Sequence, residues 1–277
     1  MSNEHQPSAD PSQKQTRILD TPITRQEKKL LVWLAARMPP WMNPDILTAI
    51  GVFGSVVIFL GYVLSSKNIN WIWLASFGFI IQWFGDSLDG TLARVRKIER
   101  PRYGFFIDHM TDTFSEVLVF VGLGLSPFLN FNLAMFMLVT YLMASIYIFL
   151  TTYVKGVFRL SYSGISPTEM RLIGIATNTV IFISGNPLIH IPRFGFLSAP
   201  LVVTVFDLVI FGLILIINYL LVVNVYATAT VLSREDRAVI QVKKIKRHKT
   251  ARVTRRQARS RGSARHLGEQ LNQPGNQ

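Results

Sequence analysis

The sequence predicts an all-α integral membrane protein with six transmembrane helices, preceded by an amphipathic helix that lies on the membrane surface. Three observations support this fold class. Of the 277 residues, 49% are hydrophobic and 16% are charged, which is too apolar a composition for an ordinary soluble domain. Six apolar segments are each long enough to cross about 30 Å of hydrocarbon. Basic residues cluster in every second connection between these segments.

The chain before the first span is predicted to form a tail and a surface helix. Residues 1–23 are polar and rich in Pro, Ser and Gln, so we expect a disordered N-terminal tail. A helix over residues 25–38 follows, and Thr24 with Glu27 forms a capping box at its start. Hydrophobic side chains recur along it at helical spacing: Leu30, Leu34 and Met38. An exposed helix without lipid contact is the alternative, but it would leave these side chains in water.

Six spans are predicted after this helix. Asn43 is a suitable cap for the first of them, Pro44 suits the first helical position, and Asp45 is favoured in the first turn. The predicted spans cover residues 46–65, 71–94, 104–126, 131–155, 170–190 and 199–231. Together with the surface helix they make up a predicted membrane domain over residues 24–232.

The distribution of Lys and Arg predicts the orientation of the spans. Basic residues are concentrated before the first span, between the second and third, after the fourth, and in the C-terminal tail. Cytoplasmic loops of membrane proteins carry such an excess, so we expect both termini and the connection over residues 95–103 in the cytoplasm. An even number of spans agrees with this arrangement. The sequence therefore predicts a multi-pass protein whose termini lie on the same side.

The C-terminal tail holds most of the positive charge. Residues 233–277 contain 13 Lys/Arg and 3 Asp/Glu, which gives +10 of the chain's net charge of +13. Nucleic acid is one partner for such a charge. On a membrane protein, attraction to anionic lipid is the commoner outcome, at about 1 kcal/mol for each basic residue near the surface. We therefore predict a basic cytoplasmic tail that contacts anionic membrane lipid and does not bind nucleic acid.

Four carboxylates lie toward the cytoplasmic ends of the second and third spans: Asp86, Asp89, Asp108 and Asp112. The offset is three positions in the first pair and four in the second, so each pair shares one helix face. We expect the two faces to meet across an antiparallel helix pair. An unpaired Asp inside a membrane helix costs about 2.5–3.5 kcal/mol, so cations or water must offset the four charges. Because every candidate ligand is a hard oxygen atom, Mg²⁺, Mn²⁺ or Ca²⁺ is favoured.

The chain around these acids resembles the CDP-alcohol phosphotransferase family, also called CDP-alcohol phosphatidyltransferases. The family signature is D-x2-D-G-x2-A-R, eight or nine residues, then G-x3-D-x3-D, and every fixed position is present here with a nine-residue spacer. The matching residues are Asp86, Asp89, Gly90, Ala93, Arg94, Gly104, Asp108 and Asp112. The signature covers about a tenth of the chain, and the membrane layout extends the resemblance to about two thirds of it.

The resemblance implies a reaction in phospholipid biosynthesis: transfer of a phosphatidyl group from CDP-diacylglycerol to the hydroxyl of a small polar alcohol, with release of CMP. Two carboxylate pairs can hold two divalent cations, Mg²⁺ or Mn²⁺. The resemblance implies that Asp86, Asp89 and Asp108 are metal ligands and that Asp112 is the catalytic base, which takes the proton of the acceptor hydroxyl, or completes the metal ligands. The reaction itself also requires cations, because a diphosphate donor is polyanionic and its oxygen atoms must be neutralised in the transition state. Relatives are typically homodimers, so a homodimer is expected.

Further binding residues are expected around the acids. Arg94 is placed to meet phosphate oxygen atoms. Gly90, Ala93 and Gly104 are expected to leave room for the nucleotide, although small residues also let membrane helices pack closely. Possible acceptor-binding residues follow the fourth span: Lys155, Arg159, Glu169 and Arg171. The basic ones equally satisfy the orientation rule, and Glu169 equally serves as a helix cap.

Other polar residues inside the spans are assigned no chemistry. Asn178, Asp207 and Asn218 are expected to form hydrogen bonds across helices. Glu116 lies one turn beyond Asp112 on the same helix face, where it could support the metal ligands.

Three alternatives stay open at this point. CDP-choline or CDP-ethanolamine could donate to diacylglycerol, because the segment Pro167-Thr168-Glu169 resembles one in the aminoalcohol phosphotransferases, although six spans weigh against it. A polyprenyl transferase would carry two Asp-rich motifs far apart, whereas here the four Asp residues lie close together. A non-enzymatic transporter would distribute ionisable residues over several spans. The acceptor alcohol also stays open among glycerol 3-phosphate, inositol phosphate, serine and others.

Overall fold

A computed structural model describes residues 22–155, 166–191 and 201–271 of the chain. Most of these residues are helical: α1 (Pro22–Arg37), α2 (Pro44–Leu64), α3 (Ile72–Arg96), α4 (Pro101–Gly124), α5 (Phe131–Lys155), α6 (Pro167–Ser184) and α7 (Val205–Leu271). A single 3-10 turn, Ile69–Trp71, precedes α3. The chain divides after Leu221 into two compact units, and the second, over its described residues, is the C-terminal part of α7.

The composition of the helices is that of a multi-pass membrane protein. Among the described residues, α2, α5 and α7 are long and apolar enough to cross a membrane. The six helices α2 to α7 lie where the six spans are predicted. It remains a prediction that α3, α4 and α6 also cross the bilayer and that α1 lies on its surface. The cytoplasmic location of the termini is likewise a prediction. So is the disordered N-terminal tail, which falls outside the described residues except for its last two.

The fold is mostly helical, as predicted, but the fifth and sixth predicted spans overrun a short two-stranded sheet. α6 ends at Ser184 because Gly185 and Asn186 adopt left-handed φ values of 68° and 49°. Two strands follow, β1 (Leu188–Ile191) and β2 (Leu201–Thr204), and they pair antiparallel with Leu188 opposite Thr204. Their Leu, Ile and Val side chains favour strands. α7 begins only after β2.

Close contacts between small residues hold α2 against α3. A Cβ built on Gly85 of α3 would lie 2.2 Å from the backbone nitrogen of Gly51 on α2. A Cβ on Gly54 would lie 2.4 Å from the backbone nitrogen of Gln82. Only hydrogen fits at these positions, so the two backbones come closer than larger side chains would allow.

α1 is attached to the membrane domain by its own apolar cluster. Leu31 and Ala35 are buried there among Leu47, Leu88 and Leu92 of α2 and α3. The predicted alignment of apolar residues along α1 is only partly right: Leu34 and Met38 pack against the cluster, whereas Leu30 is 45% exposed. The predicted capping box is wrong, because Pro22 starts the helix and Thr24 lies inside it. Glu27 is thereby available for other contacts.

The connection between α3 and α4 is fixed at both ends. Lys97 ends α3 in a left-handed conformation with φ 57°, and Pro101 starts α4. The guanidinium of Arg96 donates to the carbonyls of Met38 and Pro39, each at 2.9 Å, which ties the end of α3 to the chain between α1 and α2. The connection therefore turns the chain back within four residues.

The buried polar residues of the bundle satisfy one another, as predicted. Tyr62 Oη donates to Asn178 Oδ1 at 3.0 Å, and Asn178 Nδ2 donates to Ser76 Oγ at 3.1 Å, which links α2, α6 and α3. Asp207 accepts from the backbone nitrogen of Asn130 at 2.8 Å. Asn218 donates to Thr140 Oγ1, also at 2.8 Å. These contacts hold helices together away from the four signature acids.

Candidate functional site

Three of the four predicted acids form a triad. Asp86 of α3 and Asp108 and Asp112 of α4 each place one carboxylate oxygen within 4.8 Å of the other two. Asp108 and Asp112 lie one turn apart on one face of α4, which follows from their spacing of four residues. Such a set of hard oxygen atoms from two helices could hold a divalent metal ion.

α2 packs against both helices that carry the triad. This arrangement differs from the predicted direct pairing of α3 with α4. α4 packs mainly on α2, and α2 packs along α3. A small pocket beside the triad is accordingly lined by all three helices: Thr48 and Gly51 of α2, Gln82 and Asp86 of α3, Asp112 and Ser115 of α4. The carboxylates therefore meet above α2, and its small residues let them come together.

Asp89 lies outside the triad in this structure. Thr48 Oγ1 of α2 donates to its Oδ2 at 2.6 Å, and the backbone nitrogen of Gly90 donates to its Oδ1 at 2.5 Å. Thr48 reaches Asp89 because α2 and α3 are so close. The sequence analysis did not identify Thr48 as a site residue. The available signal was its position one turn before Gly51 on the same face of α2.

Arg171 of α6 contacts the triad through Asp86. Its Nη2 donates to Asp86 Oδ2, and its Nε lies 3.5 Å from Gln82 Oε1. The two side chains are largely shielded, with 11% of Arg171 and 23% of Asp86 exposed. A guanidinium therefore offsets part of the negative charge of the acids, as a cation is expected to do where three carboxylates crowd together. The predicted position of Arg171 near the acids is confirmed.

Helix packing does not explain two of the signature glycines. Among the described residues, a Cβ on Gly104 would meet nothing within 4 Å. The nearest atoms to a Cβ on Gly90 belong to the guanidinium of Arg94, from 3.3 Å, and Arg94 itself donates to Thr91 Oγ1 at 3.0 Å. Gly85, just outside the signature, is by contrast closely packed. Ala93 is half-buried on the same helix. Gly104 thus borders open space among the described residues, and Gly90 faces the flexible guanidinium of Arg94.

The remaining predicted site residues have other contacts or are not described. Glu169 accepts a hydrogen bond from the backbone nitrogen of Ser166 at 2.7 Å, and Ser166 caps α6 in return, so Glu169 completes a capping box. The side chain of Lys155 and the whole of Arg159 lie outside the described residues. Glu116 shares a hydrogen bond with Tyr141 of α5.

The family model for CDP-alcohol phosphatidyltransferase matches residues 41–223, about two thirds of the chain and all of the signature. A segment of 85 residues is 33% identical to phosphatidylinositol phosphate synthase of Cutibacterium acnes (strain DSM 16379 / KPA171202). The aligned segment is 30% of this chain and 38% of that relative, so the match covers well under two thirds of the relative's length.

Proposed function

Because the chain belongs to the CDP-alcohol phosphatidyltransferase family, we propose that it transfers a phosphatidyl group from CDP-diacylglycerol to the hydroxyl of a small polar alcohol and releases CMP. Membership makes it a membrane-bound transferase of phosphate-containing groups in phospholipid synthesis.

The triad of Asp86, Asp108 and Asp112 is the observation that carries the proposal. A CDP-linked donor bears a diphosphate, and three carboxylates within 4.8 Å of one another provide hard ligands for the cations that such a group needs. We assign two Mg²⁺ or Mn²⁺ ions to this cluster. Asp89 would join it, because a carboxylate keeps acceptor capacity beyond the hydrogen bonds from Thr48 and Gly90. Cations held by these carboxylates would supply the positive charge that neutralises the diphosphate as CMP departs.

Asp112 is the proposed base. Asp112 is exposed at the triad, so its carboxylate is open to an acceptor hydroxyl. The hydroxyl oxygen forms a bond to the phosphorus that carries the diacylglycerol, and the bond from this phosphorus to the oxygen of CMP breaks. CMP leaves with the electron pair, while the hydroxyl proton passes to Asp112. The alternative role of Asp112 is to complete the set of metal ligands.

The nucleotide half of the donor is assigned to the open side of the site. Gly90, Ala93 and Gly104 would leave space for cytidine, and none of the described residues fills the space beside Gly104. Arg94 extends its guanidinium beside Gly90, where it would meet phosphate oxygen atoms. The acyl chains of the donor would extend between helices into lipid.

For the acceptor we place inositol phosphate first, with glycerol 3-phosphate and serine as further candidates. The name of the matching relative, phosphatidylinositol phosphate synthase, favours an acceptor of the first kind. Arg171 is placed to meet an acceptor phosphate beside the triad, and Lys155 and Arg159 are assigned to the same role on sequence position. Glu169 is the weakest of the four assignments, since its carboxylate is engaged in the capping box.

The aminoalcohol alternative loses its particular support. The segment Pro167-Thr168-Glu169 starts α6, where Pro suits the first turn and Glu169 completes the capping box. Helix initiation thus accounts for the segment without CDP-choline or CDP-ethanolamine as donor. A transporter is disfavoured because Asp86, Asp108 and Asp112 concentrate at one point rather than along a path.

The orientation, the oligomeric state and the role of the C-terminal tail are proposed from the sequence. We propose that both termini and the site face the cytoplasm, that the protein forms a homodimer, and that residues 233–277 contact anionic lipid. Impermeant labelling of introduced cysteines tests the orientation directly, because the chain contains no cysteine of its own.

One experiment tests the reaction. Purified protein is incubated with Mg²⁺ or Mn²⁺ and either radiolabelled CDP-diacylglycerol or CDP-choline, against a panel of alcohols that includes inositol phosphate, and CMP is followed. We expect CMP only from CDP-diacylglycerol and only with an acceptor. Release from neither donor with any acceptor would count against the enzyme, and release from CDP-choline with diacylglycerol would establish the opposite donor polarity.

A further inference from the structure

Glu27 of α1 joins two other helices through one carboxylate oxygen. Its Oε1 accepts hydrogen bonds from Trp83 Nε1 of α3 at 2.9 Å and from Thr168 Oγ1 of α6 at 2.5 Å. All three side chains are half-buried. The two donors therefore hold α3 and α6 at a fixed separation, with a residue of α1 between them.

These two donors lie one helical turn before the members of the ion pair at the triad. Trp83 precedes Asp86 by three residues on α3, and Thr168 precedes Arg171 by three residues on α6. Residues three apart on a helix share a face. The Glu27 contact and the ion pair are thus two successive links between the same two helices, and the first fixes the geometry of the second.

α1 can act as a rigid support for this contact. Leu31 lies one turn beyond Glu27 on the same face and is buried in the cluster with Leu88 and Leu92 of α3. The start of α6 is also well defined, because Ser166 and Glu169 form a capping box around Thr168. Movement of the α6 backbone that carries Arg171 away from α3 therefore requires that the Thr168 contact with Glu27 breaks.

We propose that Glu27 is a positioning residue that holds the first turn of α6 against α3 and thereby keeps Arg171 on Asp86. This inference rests on the proposed metal-dependent reaction: the guanidinium and a divalent cation compete for the same carboxylate, and α1 sets the strength of that competition. A donor or acceptor that draws Arg171 away from Asp86 would then favour metal binding. Metal binding and substrate binding would thus be coupled through Arg171.

The sign of the effect on metal affinity distinguishes positioning from simple structural support. Removal of the guanidinium removes a positive charge beside the metal ligands, so Arg171→Gln should bind Mn²⁺ more tightly, by about fivefold or more. Loss of Glu27 should raise the affinity in the same direction, because Arg171 is no longer held. A residue that only stabilised the bundle would, when removed, loosen the ligands and lower the affinity.

The test is Mn²⁺ binding to the purified full chain in lipid nanodiscs, without nucleotide, followed by the electron paramagnetic resonance signal of free Mn²⁺. We expect Glu27→Ala to bind Mn²⁺ more tightly than the wild type, and Thr168→Val to change the affinity in the same direction. Glu27→Gln should stay near the wild type, because its amide oxygen accepts the same two hydrogen bonds. Lys29→Ala, on the exposed side of α1, is the matched control and should change nothing.

Non-additivity gives the second readout. In the Arg171→Gln background, Glu27→Ala should have no further effect, because the residue that it positions is gone. Unchanged or weaker Mn²⁺ binding in Glu27→Ala, or full additivity of the two substitutions, overturns the inference while the proposed reaction stands. If Glu27→Ala does not fold, Thr168→Val and Trp83→Phe carry the same test. Absence of Mn²⁺ binding in every variant, with and without nucleotide, overturns both.

Discussion

Gly85 of α3 lies against Gly51 of α2 so closely that a Cβ on Gly85 would be 2.2 Å from the Gly51 backbone nitrogen. This contact lies directly before Asp86 in the chain, and it places α2 under the triad. The acids can converge above α2 because no side chain separates the two backbones.

We expect Gly85→Ala to destabilise the fold by about 1–3 kcal/mol or more, because the added methyl group meets backbone atoms that cannot move aside. Unfolding in detergent, followed by far-ultraviolet circular dichroism, measures the change. Gly104→Ala is the matched control: its methyl group would meet nothing within 4 Å, so stability should stay within about 0.5 kcal/mol or rise slightly. Equal losses in the two variants would contradict the close packing.

Gly104 is expected to matter for substrate rather than for stability. Gly104→Val fills space that the protein leaves open, so the KM for CDP-diacylglycerol should rise by about tenfold or more, while the thermal midpoint stays near that of the wild type. Steady-state kinetics at saturating acceptor give the value. An unchanged KM would remove Gly104 from the nucleotide site.

The triad should be essential for turnover but not for folding. Asp108→Asn and Asp112→Asn should each abolish CMP release, and neither should unfold the bundle, because each removes a charge from a crowded acidic cluster. Asp45→Asn serves as the control: Asp45 forms an exposed ion pair with Arg100, worth about 1 kcal/mol or less. Substantial turnover in either triad variant would remove that residue from its assigned role.

Thr48 should tune the site through Asp89. Thr48→Val deletes the hydroxyl that donates to Asp89 Oδ2, and loss of such a contact to a metal-binding carboxylate typically costs about 10- to 100-fold in metal affinity or activity. We expect the Mn²⁺ concentration for half-maximal activity to rise accordingly. Thr48→Ser restores the donor and should restore the wild-type value. If serine and valine behave alike, Asp89 does not depend on Thr48.

The acids could be recognised from the sequence because their spacings put them on single helix faces, and a short basic connection brings the two helices together. Asp86, Asp108 and Asp112 do meet, and Arg171 does lie beside them. The place of α2 between α3 and α4 was not predictable in the same way. It depends on which glycines face each other, and a contact such as that of Gly51 with Gly85 leaves no periodic hydrophobic signal.

Two other differences have local causes. Thr24 and Glu27 have the spacing of a capping box, but Pro22 extends the helix backwards and Glu27 turns to Trp83 and Thr168 instead. Apolar residues after Gly185 suggest a continued span, yet two left-handed residues end the helix and short strands follow. In both cases the local sequence pattern fits two structures, and a few residues at the end of the helix decide between them.

The most direct test of the account is Mn²⁺ binding by the wild type and by a variant that combines Asp86→Asn, Asp108→Asn and Asp112→Asn, in the presence of CDP-diacylglycerol and without acceptor. We expect saturable binding by the wild type, and none by the combined variant although it retains its helical circular dichroism. Equal Mn²⁺ binding by the two proteins would contradict the claim that these three carboxylates hold the metal for a nucleotide diphosphate.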